Sequence, residues 1–139
     1  MVPNREFYRQ KSNFNREEIL FSLYYFSKNH TVLESVILYL KDQRKLNYHQ
    51  IGALINRDER NIRVLYLRAK IKPIKFYNSS KILIPISIFA DKKLSALESL
   101  TVYLHDKLNF RFSQIAQLIG RDQRTVWTSY SRARRKNAK

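Results

Sequence analysis

Cysteine is absent from the chain. That excludes a disulfide framework, thiolate metal ligation and a cysteine nucleophile, and it suits a reducing compartment. Glycine occurs only as Gly52 and Gly120, so a glycine-rich loop cradling phosphate cannot be built in its usual form. Acid is scarce as well: 11 Asp and Glu stand against 27 Lys and Arg, a formal net charge of +16 over 139 residues. The few carboxylates form no pair with a credible nucleophile or base, so no enzyme is expected. His30, His49 and His105 lack metal-ligand spacing, and no cofactor is expected. No run approaches the ~20 apolar residues of a membrane span, and the segment MVPNREFYRQKSN lacks the apolar stretch of a signal peptide. The expectation is a soluble, cytoplasmic protein. What the chain does have is positive charge, together with 44% apolar and 13% aromatic residues. The apolar content can fill a core. The charge asks for a polyanionic partner: DNA, RNA or an anionic membrane face.

The chain repeats itself. Residues 33–70 align with 97–134 at a constant offset of 64, with 16 identities in 38 positions. They include Leu33/Leu97, Glu34/Glu98, Tyr39/Tyr103, Asp42/Asp106, Ile51/Ile115, Arg57/Arg121, Asp58/Asp122 and Tyr66/Tyr130. Upstream, the stretch from Phe89 answers the stretch from Phe26 with a one-residue slip, and Phe7-Tyr8 answers Phe76-Tyr77. Residues 1–70 hold 13 basic and 7 acidic residues, a net +6; residues 71–139 hold 14 and 4, a net +10.

Three helices are read in each unit. Thr31 with Glu34, and Ser95 with Glu98, have the spacing of a capping box and open first helices over about 31–42 and 95–107. Short second helices follow at 49–55 and 113–119, where Ile115, Leu118 and Ile119 lie on one face. Asp58 and Asp122 are placed to cap third helices over 59–71 and 123–136. Residues 82–89 are rich in β-branched side chains and carry Pro85, which reads as an extended edge strand. Residues 16–27 are open to either state, with helix preferred because Asn15 and Glu18 can cap one. The fold expected is all-α: tandem three-helix units at 1–72 and 95–139, joined by a segment at 73–94 with a small β element.

The turn between the second and third helices carries the functional reading. Reversing the chain within about three residues needs a position that accepts the left-handed conformation, and Asn56 and Gly120 stand there. Four residues earlier, close helix crossing needs a small side chain, and Gly52 and Ala116 supply it. Ile51, Ile55, Ile62 and Leu65 plug the angle in unit one; Ile115, Ile119 and Val126 do so in unit two. This is a helix-turn-helix pattern, met twice. The stretch from Leu97 through Gln114-Ile-Ala-Gln-Leu-Ile-Gly-Arg-Asp-Gln-Arg-Thr-Val resembles bacterial sigma-factor region 4 and related helix-turn-helix regulators. The resemblance spans about 40 residues of each unit and implies that the third helix enters the DNA major groove. Nothing in the chain reads as sigma region 2 or 3. One departure is Ser129, where that family carries an aliphatic residue; Tyr130 is the candidate to take over its packing role.

The residues assigned to DNA follow from their chemistry. In unit two, Gln123, Arg124 and Thr125 open the third helix, and Trp127, Thr128 and Ser131 continue its outward face. Arg bonds guanine bidentately and Gln does the same for adenine. Arg132, Arg134 and Arg135 suit phosphate contact, which gives affinity without sequence information. Ser113 and Gln114 sit where free helix N–H groups favour a phosphate. Unit one offers Gln50, Arg60, Asn61, Arg63 and Arg68 in the matching places. Arg57 and Arg121 follow the turn directly and serve either a phosphate or an intramolecular pair with a nearby acid. Trp127 is equally placed for core or contact. The third helix of unit one carries Val64 and Leu67 where unit two has Thr128 and Ser131. They suit thymine methyls or burial against unit two or a second chain.

The function expected is double-stranded DNA binding as a transcriptional regulator in the nucleoid. The alternative is an architectural nucleoid protein of low sequence specificity, and RNA binding ranks third. Expected partners are duplex DNA, a second copy of the chain, and RNA polymerase or another transcription protein.

Overall fold

The computed structural model describes residues 19–76 and 80–138. The Phe7-Tyr8 and Phe76-Tyr77 correspondence falls largely outside them. The described elements are β1 (Leu20–Ser22), α1 (Val32–Leu38), α2 (Tyr48–Ile55), α3 (Glu59–Ile71), β2 (Leu83–Pro85), α4 (Ala96–Val102), α5 (Phe112–Ile119) and α6 (Gln123–Asn137). The chain is mostly helical with one small antiparallel sheet, as the sequence led us to expect.

The first helices begin where their capping boxes predict. Thr31 Oγ1 accepts from Glu34 N–H at 3.0 Å, and Glu34 Oε1 accepts from Thr31 N–H at 3.0 Å. Ser95 and Glu98 repeat the exchange at 3.1 and 3.0 Å. Both helices end in a wider π turn, Tyr39–Gln43 and Tyr103–Lys107. Past each π turn a non-glycine residue takes positive φ, Lys45 at 59° and Asn109 at 61°, and these two positions are again 64 apart. The repeat therefore extends to backbone geometry, which residue type suits at Asn109 and does not announce at Lys45.

The end of each third helix is tied to its first helix and the following π turn by three polar links at matching positions. One is Lys70 with Asp42 at 3.3 Å, matched by Arg134 with Asp106 at 3.7 Å. Tyr66 Oη donates to Asp42 at 2.7 Å, and Tyr130 Oη donates to Asp106 at 2.8 Å. Burial, and then the Asp42 carboxylate, push the Tyr66 hydroxyl up to about 12. Lys72 Nζ reaches Glu34 at 2.9 Å, and Lys136 Nζ reaches Glu98 at 2.7 Å. Burial raises both glutamates. The Thr31 N–H and Lys72 at Glu34, and Lys136 and the Ser95 N–H at Glu98, outweigh it and hold both carboxyls below their usual value. A carboxyl depressed by folding adds stability above its unfolded titration range, and that stability is lost as pH falls through the lower folded value. We therefore expect the melting temperature to drop on the acid side of the ordinary glutamate range. Glu34→Gln with Glu98→Gln should flatten that limb, since Gln keeps the cap and removes the charge. An unchanged acid limb in the double variant would contradict the assignment.

The expectation of helix at 16–27 is corrected by the part that is described. Residues 20–22 form β1 and Leu23–Tyr25 a single 3₁₀ turn. Ile19, Phe21 and Leu23 are buried at alternate positions, which is the period of a strand. Exposed apolar residues, Leu20 and Tyr24, hide that alternation in the sequence. The strand expected over 82–89 is confined to Leu83–Pro85, and Ile86–Ala90 coil into a 3₁₀ turn.

The two units meet about a pseudo-twofold axis. In β1 and β2, Phe21 pairs antiparallel with Ile84, flanked by Leu20 with Pro85 and Ser22 with Leu83. With the one-residue slip upstream, Ile84 is the counterpart of Phe21, so the central pair joins equivalent positions. The flanking backbone bonds are reciprocal: Leu23 N–H donates to Ile82 O at 3.0 Å and Ile86 N–H to Ile19 O at 2.9 Å. The equivalent helices α1 and α4 also touch. Phe21, Phe26 and Phe89 lie in one buried cluster with Ile37, Ile55, Leu100 and Ile119, so both units share a core. This is the isologous contact of a symmetric dimer, built within one chain.

Candidate nucleic-acid interface

The helix-turn-helix geometry rests on two left-handed residues. Asn56 has φ 56° and ψ 50°, and Gly120 has φ 66° and ψ 32°, each ending a second helix as the sequence predicts. Ile51, Ile55, Ile62, Ile115, Ile119 and Val126 are all buried behind the turn. Gly52 is needed for a steric reason: a Cβ there would lie 2.7 Å from the backbone oxygen of Arg57. Asp58 Oδ1 accepts from Arg60 N–H at 2.8 Å and Asp122 Oδ1 from Thr125 N–H at 2.7 Å, so both aspartates cap the third helices. The Thr125 N–H and hydroxyl hold the Asp122 carboxyl below its usual value.

Ser129 is itself buried. Tyr130 does not replace it; its ring packs 5.2 Å from Phe112 and 4.8 Å from His105. Tyr66 packs on Tyr48 in the same way, at 5.8 Å.

Helix α6 presents the largest set of the expected contact residues on one surface. Gln123, Arg124, Trp127, Arg132, Arg134 and Arg135 are exposed, and Thr125, Thr128 and Ser131 are half-buried. Trp127, at 57% exposure, belongs to the surface and not the core. An open groove runs beside α6, lined among others by Trp127, Thr128, Ser131, Arg134 and Arg135. The helix carries five basic residues and no acid. Arg134 also stands 3.7 Å from Asp106, an exposed pair that leaves most of its guanidinium in solvent.

Helix α3 exposes Arg60, Asn61, Arg63 and Arg68. Its apolar residues did not go where burial against unit two would put them. Val64 is 45%, Leu67 48% and Ile71 84% exposed, and they sit at the registers of Thr128, Ser131 and Arg135. The outward faces of α3 and α6 are thus of equal placement and unlike chemistry. Of the two readings the sequence left open for Val64 and Leu67, burial against unit two is ruled out by their exposure.

Three other groups of expected residues lie elsewhere. Ser113 is exposed in the first turn of α5, but that helix starts at Phe112, one residue early. Gln50 and Gln114 are half-buried and occupied: they accept the backbone N–H of Asn47 at 2.9 Å and of Arg111 at 2.8 Å. Arg57 and Arg121 are in the joint between units. Arg57 donates to Leu94 O at 3.4 Å and Arg121 to His30 O at 3.2 Å. Leu94 and His30 are 64 apart, as are the two arginines, so each unit clasps the other through the same pair of positions. Arg121 also lies 5.3 Å over the Phe26 ring. Their acceptors are carbonyls, a signal that residue type cannot give.

The histidines have structural partners. His30 is buried, with Nδ1 at 2.6 Å from Ser27 Oγ and Nε2 at 2.8 Å from Ala69 O. His105 stacks on Phe112 at 4.4 Å, and His49 stands 3.2 Å from Glu59. Among the described residues no helix is long and apolar enough to cross a membrane. Searched against family models, curated proteins and solved structures, the chain matches none of them.

Proposed function

We propose that the protein binds double-stranded DNA through α3 and α6 and acts as a sequence-reading transcriptional regulator of the nucleoid. One observation carries this reading. A helix-turn-helix frame is built twice, and in unit two it turns outward a helix, α6, that is basic, free of acid and lined with Arg, Gln, Thr and Ser. Those side chains have the donors and acceptors for base edges, and the trailing arginines suit phosphates. The capped N-terminus of α6 puts Gln123 and Arg124 on its first exposed turn.

The test is selection of bound duplexes from a random pool, followed by competition. A regulator should prefer its selected duplex over random duplex by about a thousandfold or more. Single strands and RNA of the same sequence should compete no better than random duplex. Arg124→Ala should relax preference at one base pair and cost about 1–3 kcal/mol. Equal competition by random duplex would instead favour an architectural protein, and preference for RNA would overturn the reading.

A further inference from the structure

We propose that a single copy of the chain reads a duplex site arranged as an inverted repeat with unlike halves. This rests on the proposed reading of α3 and α6 as the reading helices. The pseudo-twofold axis supplies the order. It passes between Phe21 and Ile84, which are equivalent residues paired antiparallel. It also relates the bonds Leu23 to Ile82 and Ile86 to Ile19, and the clasps Arg57 to Leu94 and Arg121 to His30. A twofold operation that carries unit one onto unit two carries α3 onto α6. A duplex met by both helices meets them in opposite senses, so its half-sites run inverted and not in tandem.

The spacing between half-sites is rigid for a stated reason. Arg57 and Arg121 lie immediately before the caps Asp58 and Asp122. Each clasp therefore pins the start of one reading helix to the residue before the cap of the other unit's first helix. The two reading helices are also held in one frame because β1 and β2 are paired and the two units share one buried cluster. A second copy of the chain is not needed to supply the other half-site.

The halves differ because the outward faces differ. Unit one presents Val64, Leu67 and Ile71 where unit two presents Thr128, Ser131 and Arg135. Apolar side chains match thymine methyls, while Thr, Ser and Arg match polar base edges and phosphates. The half under α3 is the one richer in A·T pairs.

The experiment uses the full chain and the duplexes recovered by selection, with affinity read by fluorescence anisotropy and stoichiometry by sedimentation. The expected site is an inverted repeat bound one protein to one duplex. Inserting 5 base pairs between its halves, about half a helical turn, should weaken binding tenfold or more. Reversing one half to make a direct repeat should do the same. Val64→Thr with Leu67→Ser lies on the exposed face and should fold like the parent. Selection with that variant should return halves more alike than the parent's. Recovery of a direct repeat, of a lone half-site, or of two proteins per site would overturn the inference while leaving duplex reading intact. So would a parent-like site from the double variant. Absence of any preferred duplex would overturn the proposed function, and the inference with it.

Discussion

Replacing Phe21 with alanine should lower the stability of both units together by about 3–5 kcal/mol, the range for an aromatic truncated in a packed core. Phe21 is fully buried at the pseudo-twofold axis, edge-on to Tyr39 at 5.3 Å and to Phe89 at 6.5 Å. Its loss opens a cavity that neither unit can close alone, since Tyr39 belongs to the first and Phe89 to the second. At roughly 2–8 °C per kcal/mol for domains near this size, the melting temperature should fall by more than about 6 °C. Unfolding should stay a single transition in parent and variant, because one buried cluster spans both units. Two separated transitions in the parent, or a variant within about 1 kcal/mol of it, would show that the units fold apart.

Gly52→Ala should destabilise the chain although it adds only one methyl group. The new Cβ would sit 2.7 Å from Arg57 O and 3.6 Å from the Glu59 backbone, and backbone cannot step aside as a side chain can. Relief requires the α2–α3 turn to open, which also strains the Arg57 clasp on Leu94. A cost of about 1–3 kcal/mol is expected for such overpacking. The aligned residue of unit two is already Ala116, and its carbonyl accepts Arg121 N–H at 3.1 Å against 2.9 Å for Gly52 and Arg57. Ala116→Gly should therefore cost only the helix-propensity difference of about 0.5–1 kcal/mol. Paired thermal melts check this. If Gly52→Ala proves neutral, the close crossing in unit one is not a constraint.

Much of the fold was legible because its signals are local. A capping box acts over three residues, so Thr31 with Glu34 and Ser95 with Glu98 declare their helices in sequence. Asn56 and Gly120 declare the left-handed turn by residue type, and Asp58 and Asp122 declare the caps. The strand at 20–22 was not legible in the same way. Its partner lies more than sixty residues on, and exposed Leu20 and Tyr24 blur the alternation of Ile19, Phe21 and Leu23. The positive φ of Lys45 was not legible either, since lysine does not favour that conformation.

For the candidate site, residue chemistry found the outward face of α6 but could not sort its neighbours. Arg57 and Arg121 look like the other arginines in sequence, yet they donate to carbonyls of their own turn and across the joint between units. Gln50 and Gln114 look like contact residues and are spent on helix starts. Val64 and Leu67 suit either burial or an exposed contact by residue type, and they are exposed. For the two arginines the deciding partner is remote in the chain, so spacing carries no trace of it. Gln50 is different, because Asn47 three residues before it forms a capping box that spacing does show.

The central claim is that the basic faces of α3 and α6 hold duplex DNA, and the salt dependence of affinity tests it most directly. With about 6–8 phosphates neutralised, log K for the selected duplex should fall against log salt with a slope near −5 to −7. A slope shallower than about −2 would mean that this surface does not bind the polyanion, and would contradict the account.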